Sequence, residues 1–416
     1  MGYPMHASLP EPAGPAASQR LYFLDWIRIG AVCVLVCFHM GLYYGPWEWH
    51  VKSVHAGAAV EPLLLLTSPW RMSLLFLVSG AASALLLGKA SDTGFLRERS
   101  MRLLVPLAFG MLVIVPPQAF CEVAEKMGYQ ESYGAFLQRY LSGDPGFCAG
   151  GHCLVLPAWN HLWFVAYLWV YTLVLSFVLA IAGRRRLAGA ADWLTGLLAG
   201  WRAILLPVAA LAVARAVLSP RFPTTYALVD DWYNHAVYFP MFLAGLLLAR
   251  QHRFWAEVAR LRFHALALAL GSWALLVCLH AVPGHEQPGQ HLALVTAAVR
   301  STLQWCAIMA VCGFGYRHLN VDAGARRYLT EAVFCVYLVH QTLIVVVATA
   351  LKPLHIAPFT EAVVVVILTF AGSLAAFEAV RPVPALRPLF GISPAGPARA
   401  RVAAGLRPSP DGRPAK

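Results

Sequence analysis

Between residues 23 and 380 the sequence keeps returning to one pattern: about twenty apolar, nearly uncharged residues, then a short polar connection. A run of that length reaches across the roughly 30 Å hydrocarbon core of a bilayer. Inside that core every backbone N–H and C=O must be satisfied by the protein, so only helices and closed barrels can cross. These runs are too long and too continuous for barrel strands. The expected fold is therefore all-α: a polytopic membrane protein of about ten transmembrane helices around a cavity. Composition agrees, with 59% hydrophobic and 12% charged residues, where a soluble domain carries about a quarter charged.

The candidate spans lie at 23–45, 63–88, 102–121, 162–183, 202–219, 233–250, 264–282, 293–315, 330–351 and 362–380. An even number places both termini on one side. With that side cytoplasmic, 23 of the 32 Lys and Arg fall on it, five fall in the outer loops and four inside spans. This is the asymmetry of the positive-inside rule. It also accounts for the net charge of +12 through anionic lipids, with no need for nucleic acid. Residues 1–19 are rich in Pro, Ala and Gly and lack the order of a signal peptide, so they read as a disordered tail. Residues 393–416 read as a second, basic tail. The membrane domain between them covers 20–392. No internal repeat supports an inverted-repeat transporter.

Most of the nine cysteines fall within spans, where a thiol acts as a small hydrophobe. Cys148 and Cys153 instead share FCAGGHC in the longest outer loop, and an oxidising compartment would allow them to pair. A zinc site using His152 is disfavoured, because so few closely spaced ligands fall short of the usual four. No metal is expected.

The first span, DWIRIGAVCVLVCFHMGLYY, carries Arg28 and His39. Eleven residues at about 100° each bring the two to within about 20° of one line, about 16 Å apart along the axis. Asp25 lies within about 40° of the same stripe. Ionisable groups inside a membrane usually face a polar interior. The stripe suits a ligand with an anionic end at the cytoplasmic mouth and a reactive end within the bundle. Arg28 also suits snorkelling to headgroups, and His39 a hydrogen bond to a neighbouring helix. Arg99 and Arg102, three residues apart on one helical face, enter the third span from the same side. Their planar forks suit phosphate, although topology alone also places basic residues there.

Together these motifs resemble the acyltransferase-3 family of membrane acyltransferases. The likeness runs through LDWIR at 24–28, Arg28 and His39 with ten residues between them, LLFLVSG at 74–80, and RSMR at 99–102 with Pro106. It continues in HLWFVAYL at 161–168 and VYLVHQ at 336–341. A narrower likeness, in FHMGLYYGPWEWHVKS at 38–53 and RPLFG at 387–391, is to members that succinylate glucans. The resemblance implies helices around a cavity, acyl-coenzyme A as co-substrate on the cytoplasmic side, and a saccharide hydroxyl as acceptor on the other. No tightly bound cofactor is implied. It further implies that His39 is essential and that Arg28, Arg99 and Arg102 bind the donor.

On that basis His39 is the expected catalytic residue, as general base or as nucleophile. Asp25, Trp163, Tyr337 and His340 are candidate cavity residues. His161 suits either the interface or an acceptor site. PWEWH at 46–50 suits sugar stacking or an aromatic belt, and Ser79 and Gly80 suit close helix packing. The expected location is the cell inner membrane. Two other functions fit intramembrane Arg and His: a transporter or flippase, and a non-catalytic sensor. The acyl group, the acceptor and the oligomeric state stay open.

Overall fold

The computed structural model describes residues 21–89, 91–149, 152–282 and 289–393. The expected tails fall outside the described residues, Ser393 excepted. Thirteen α-helices follow one another among the described residues: α1 (Tyr22–Tyr44), α2 (Glu61–Thr67), α3 (Arg71–Leu87), α4 (Asp92–Phe109), α5 (Val115–Met127), α6 (Tyr133–Ser142) and α7 (Trp163–Leu197), then α8 (Arg202–Leu218), α9 (Trp232–Leu248), α10 (His252–His280), α11 (Gln290–His318), α12 (Gly324–Leu351) and α13 (Pro358–Val380). The only β-structure described is one antiparallel pair, Cys148–Ala149 with His152–Cys153. Cys148 and Cys153 form a disulfide there, with Cα atoms 4.1 Å apart.

Every expected span corresponds to a helix. Eight helical segments among the described residues are long and apolar enough to cross a membrane, by length and composition. The other two, α8 and α9, have 17 residues each and extend only about 25 Å, short of a typical hydrocarbon core. Some boundaries differ from expectation. The third helical segment begins at Asp92 and ends at Met127, because the basic turn FLRERS continues the helix outside the apolar run. The fourth runs on to Leu197 but turns at Gly183, whose φ of 73° and ψ of 162° are not helical. The left-handed side of φ/ψ space favours glycine there.

Two interruptions shape the interior. Pro69 lacks an N–H, and the second span breaks at 68–70 into α2 and α3, so Arg71 opens a new helix deep in the protein. Pro116 and Pro117 likewise remove two ladder donors after the π-helical turn Gly110–Ile114. The Met111 carbonyl, which loses its donor there, accepts from the Tyr140 hydroxyl at 2.8 Å, and the Ile114 carbonyl accepts from Thr342 Oγ1 at 2.7 Å.

α1 packs against α12, α11 and α3, and α12 packs on α13. Asp25 pairs with Arg326, Arg28 Nη2 donates to the Thr330 carbonyl at 3.0 Å, and His39 meets His340 at 2.9 Å. Partner numbers rise together, so α1 and α12 run parallel. An odd number of crossings therefore lies between them, and α8 and α9 cross as a pair or not at all.

The α3–α9 contact depends on two glycines. A Cβ on Gly80 would fall on the Phe242 carbonyl, and one on Gly245 on the Leu77 carbonyl. Backbones this close are how membrane helices gain packing energy without a hydrophobic driving force. Gly245→Leu should therefore destabilise the protein by about 1–3 kcal/mol or more, read as a lowered unfolding midpoint in detergent. A wild-type midpoint would mean that the helices separate freely.

Candidate active site

Two cavities open towards opposite ends of α1. The one at the Arg28 end has a volume of about 430 Å³ and is lined by Asp25, Arg28, Arg99, Arg102, Arg327 and Tyr337 among others. Arg28, Arg99 and Arg102, far apart in sequence, therefore face one space. Arg99 Nε and Nη2 and Arg28 Nε are buried and have no hydrogen-bond partner among the described residues. Arg102, nearly half exposed, lies 3.8 Å from Glu98. Asp25 also lines this cavity, but its carboxylate pairs with Arg326, which is 2% exposed and is held from its other side by Asp322 at 2.6 Å. Asp322, outside the spans, has its pKa pulled down by the hydrogen bond from Arg326.

The RPLFG motif closes this end. Arg387 donates to the Ser393 and Arg381 carbonyls and lies 3.2 Å from Glu331. Phe390 packs on Phe109 with ring centroids 5.1 Å apart. Gly391 has φ of 66°, and a Cβ there would strike the Phe334 ring. The chain's last described turn thus lines the arginine cavity.

The second cavity, about 780 Å³, lies at the His39 end. His39, Arg71, His161, Trp163, Tyr337 and Gln341 line it, and Trp47, Trp49, Trp159 and Tyr226 give it aromatic walls. The loop after α1 is pinned over it by Lys52, whose ammonium donates to the carbonyls of Leu42, Gly45 and Trp47. A cation suits the unpaired carbonyls at a helix C-terminus, and burial lowers the Lys52 pKa. Across the cavity, buried Asp231 accepts from Tyr167, Asn234 and the backbone of Tyr226. That folds the loop so that Tyr226 stacks on Trp163 at 4.4 Å.

His39 is 8% exposed, and hydrogen-bond direction fixes its tautomer. His340 Nδ1 lies 2.7 Å from the Tyr337 carbonyl. A carbonyl only accepts, so His340 Nδ1 carries a proton and, in the neutral ring, Nε2 accepts. His39 Nδ1, 2.9 Å from that Nε2, must then donate. The remaining lone pair of neutral His39 is on Nε2, which has no hydrogen-bond partner among the described residues. The two rings are nearly coplanar, 7° apart in orientation, with centroids separated by 5.0 Å.

His161, open to two readings from sequence, is buried, and its Nε2 donates to the Leu338 carbonyl at 3.0 Å. Its own carbonyl accepts from the Tyr337 hydroxyl at 2.7 Å. Tyr337 lines both cavities and so stands between them. Trp163 and His340 also sit at the histidine cavity or against its histidine. The sequence did not single out Arg71, Tyr226, Gln341 or the pair formed by His50 and Glu122 at 2.5 Å. For Arg71 a signal existed: it is a lone arginine within an apolar run.

The acyltransferase domain profile of the acyltransferase-3 family matches residues 21–378, most of the chain and every helix that builds the two cavities. The chain belongs to the acyltransferase-3 family. It is similar to the glucans biosynthesis protein C of Escherichia coli O139:H28 (strain E24377A / ETEC) and of Escherichia coli O81 (strain ED1a). Each is 25% identical over 348 residues, covering 79% of this chain and 83% of the relative. No solved structure matches the chain. As a member of this family the protein is a membrane acyltransferase.

Asp25→Asn tests whether that carboxylate is structural. It leaves Asp322 as the remaining carboxylate paired with Arg326, so stability should fall by about 1.5–3 kcal/mol, the range for a hydrogen bond to a charged group. Thermal unfolding in detergent measures this, and an unchanged midpoint would free Asp25 for a role towards ligand.

Proposed function

We propose that the protein moves an acyl group from cytoplasmic acyl-coenzyme A to a hydroxyl of a glucan or other saccharide on the far side of the membrane. The observation that carries this reading is the fixed tautomer of His39, with its Nε2 lone pair unengaged in a cavity walled by aromatic rings. The similarity to glucans biosynthesis protein C favours a glucan as acceptor. Orientation follows from charge: the arginine end faces the cytoplasm of the inner membrane, where the positive-inside rule puts it, and both termini lie there.

In this mechanism the phosphates of the coenzyme sit against Arg28, Arg99 and Arg102, whose guanidinium groups, unpartnered in part at Arg28 and Arg99, supply charge-assisted bonds. The pantetheine arm runs along the stripe from Arg28 towards His39, about 16 Å on, and passes Tyr337. A saccharide enters from the opposite end and packs on Trp47, Trp49 or Trp163. His39 Nε2 accepts the hydroxyl proton as the oxygen attacks the thioester carbonyl. The C–S bond then breaks, the thiolate leaves, and His39 returns the proton to sulfur. The products are an ester and free coenzyme A. His340 is a positioning residue: it accepts from His39 Nδ1 and holds the ring in the basic tautomer.

His39→Ala should reduce transfer by about 10²–10⁴-fold, the usual contribution of a general base, while donor binding changes much less. His340→Gln, which keeps an acceptor, should retain more activity than His340→Ala. Transfer of radiolabelled acyl groups by purified, folded variants measures both. Near-normal transfer by His39→Ala would end the assignment.

The donor end is tested separately by Arg99→Ala. Losing one charge-assisted contact of about 1.5–3 kcal/mol should weaken acyl-coenzyme A binding roughly 10- to 100-fold, measured by equilibrium binding. Unchanged affinity would leave Arg99 with a topological role.

A further inference from the structure

The histidine cavity contains a charge that proton transfer at His39 does not use. Arg71 lines it together with His39. The side chain is 9% exposed, and its Nε and Nη1 are buried with no hydrogen-bond partner among the described residues. No ion pair involves it among those residues. Among the described residues Glu48 is the only carboxylate lining the cavity; it is exposed and does not pair with Arg71. The guanidinium lies flat on Phe38, 3.2 Å from the ring centroid, and Phe38 precedes His39 in the chain. Burying a charge without a counterion is costly. The face of one ring recovers part of that cost but takes up none of the in-plane N–H donors.

We infer that Arg71 is the seat of a carboxylate carried into this cavity by one of the two reactants, and that it selects for the reactant bearing it. The inference rests on the acyl-transfer reading. A planar fork with free N–H groups matches a carboxylate with two parallel hydrogen bonds. The stacked Phe38 fixes the plane of that fork, so the carboxylate is held at a set position relative to the adjacent histidine. The coenzyme's phosphates are not candidates, because their arginines lie at the other end of α1, beyond Tyr337. The carboxylate can come from the free end of a dicarboxylic acyl group or from an acidic sugar of the acceptor.

Two pairs of substrates distinguish these sources, assayed with wild type, Arg71→Gln and Arg71→Lys in lipid nanodiscs. The donor pair is succinyl- and acetyl-coenzyme A with a neutral glucan oligosaccharide. The acceptor pair is a glucuronate-containing and a neutral oligosaccharide, with acetyl-coenzyme A as donor. In wild type, kcat/KM should favour the carboxylate-bearing member of one pair by about tenfold or more. That preference should vanish in Arg71→Gln and be partly kept by Arg71→Lys, whose ammonium has charge but no fork. The pair that responds identifies the source.

Absence of a preference in wild type overturns the inference. So does an equal loss for both members in Arg71→Gln, which would mean that the arginine serves the transition state or the fold. Should Arg71→Gln not fold, the reduced preference of Arg71→Lys carries the same comparison. If no pair supports transfer, the acyl-transfer reading fails by itself. Arg71 is then judged by thermal stabilisation with the same four compounds: a carboxylate-dependent shift lost in the variant supports the site, and equal shifts reject it.

Discussion

Three polar contacts hold α1 and α12 in parallel register: Asp25 with Arg326, Arg28 with the Thr330 carbonyl, and His39 with His340. Hydrophobic faces alone would let the two helices slide, because lipid tails are as apolar as the side chains they would replace. A polar group left unpaired at that depth is expensive, so each contact penalises any other register. The fit of these helices places the arginines at one end of the interior and the histidines at the other. Both helices contribute residues to each cavity.

The two cavities differ in chemistry as well as position. At one end, guanidinium groups crowd around a space that the C-terminal turn of Arg387 to Ser393 helps to close. At the other, aromatic rings surround two hydrogen-bonded histidines and one unneutralised arginine. Tyr337 touches both spaces, and its hydroxyl is tied to the His161 carbonyl. An interior that keeps its arginines and its histidines about three helical turns apart suits a reactant with a charged head, a long arm and a reactive tip. The backbone breaks at Pro69 and at Pro116–Pro117 belong to the same design. Irregular backbone at membrane depth is tolerated where protein or a cavity surrounds it, and the first of these breaks delivers Arg71 to the histidine cavity.

Much of this was legible in the sequence. All ten apolar runs are helices, and the stripe from Arg28 to His39 is real because helical rotation is a local property. Arg99 and Arg102 could be placed at the Arg28 end from motif and charge. Less visible were the partners. Tyr337 and His340 share a helical face, but nothing local says that His340 Nδ1 turns to its own helix and presents Nε2 to His39. Arg71 was evident as a charge in a span, yet whether it snorkels, pairs or stays alone depends on which groups surround it. The loop that carries Tyr226 to Trp163 was unreadable, because Asp231 organises it through contacts from three separate segments.

Sequence by itself determined that the chain crosses a membrane as helices, since apolar run length and the need to satisfy the backbone permit little else. It also determined which loops are basic, the stripe on α1 and the family likeness, each of which is local or one-dimensional. Tertiary structure alone decided which nitrogen of His39 is free, that Asp25 is committed to Arg326, that Tyr337 divides two cavities, and that Arg71 is buried with no counterion among the described residues. These depend on distances between residues hundreds of positions apart. Hydrogen-bond direction and burial act only once such residues meet, so no window along the chain contains them.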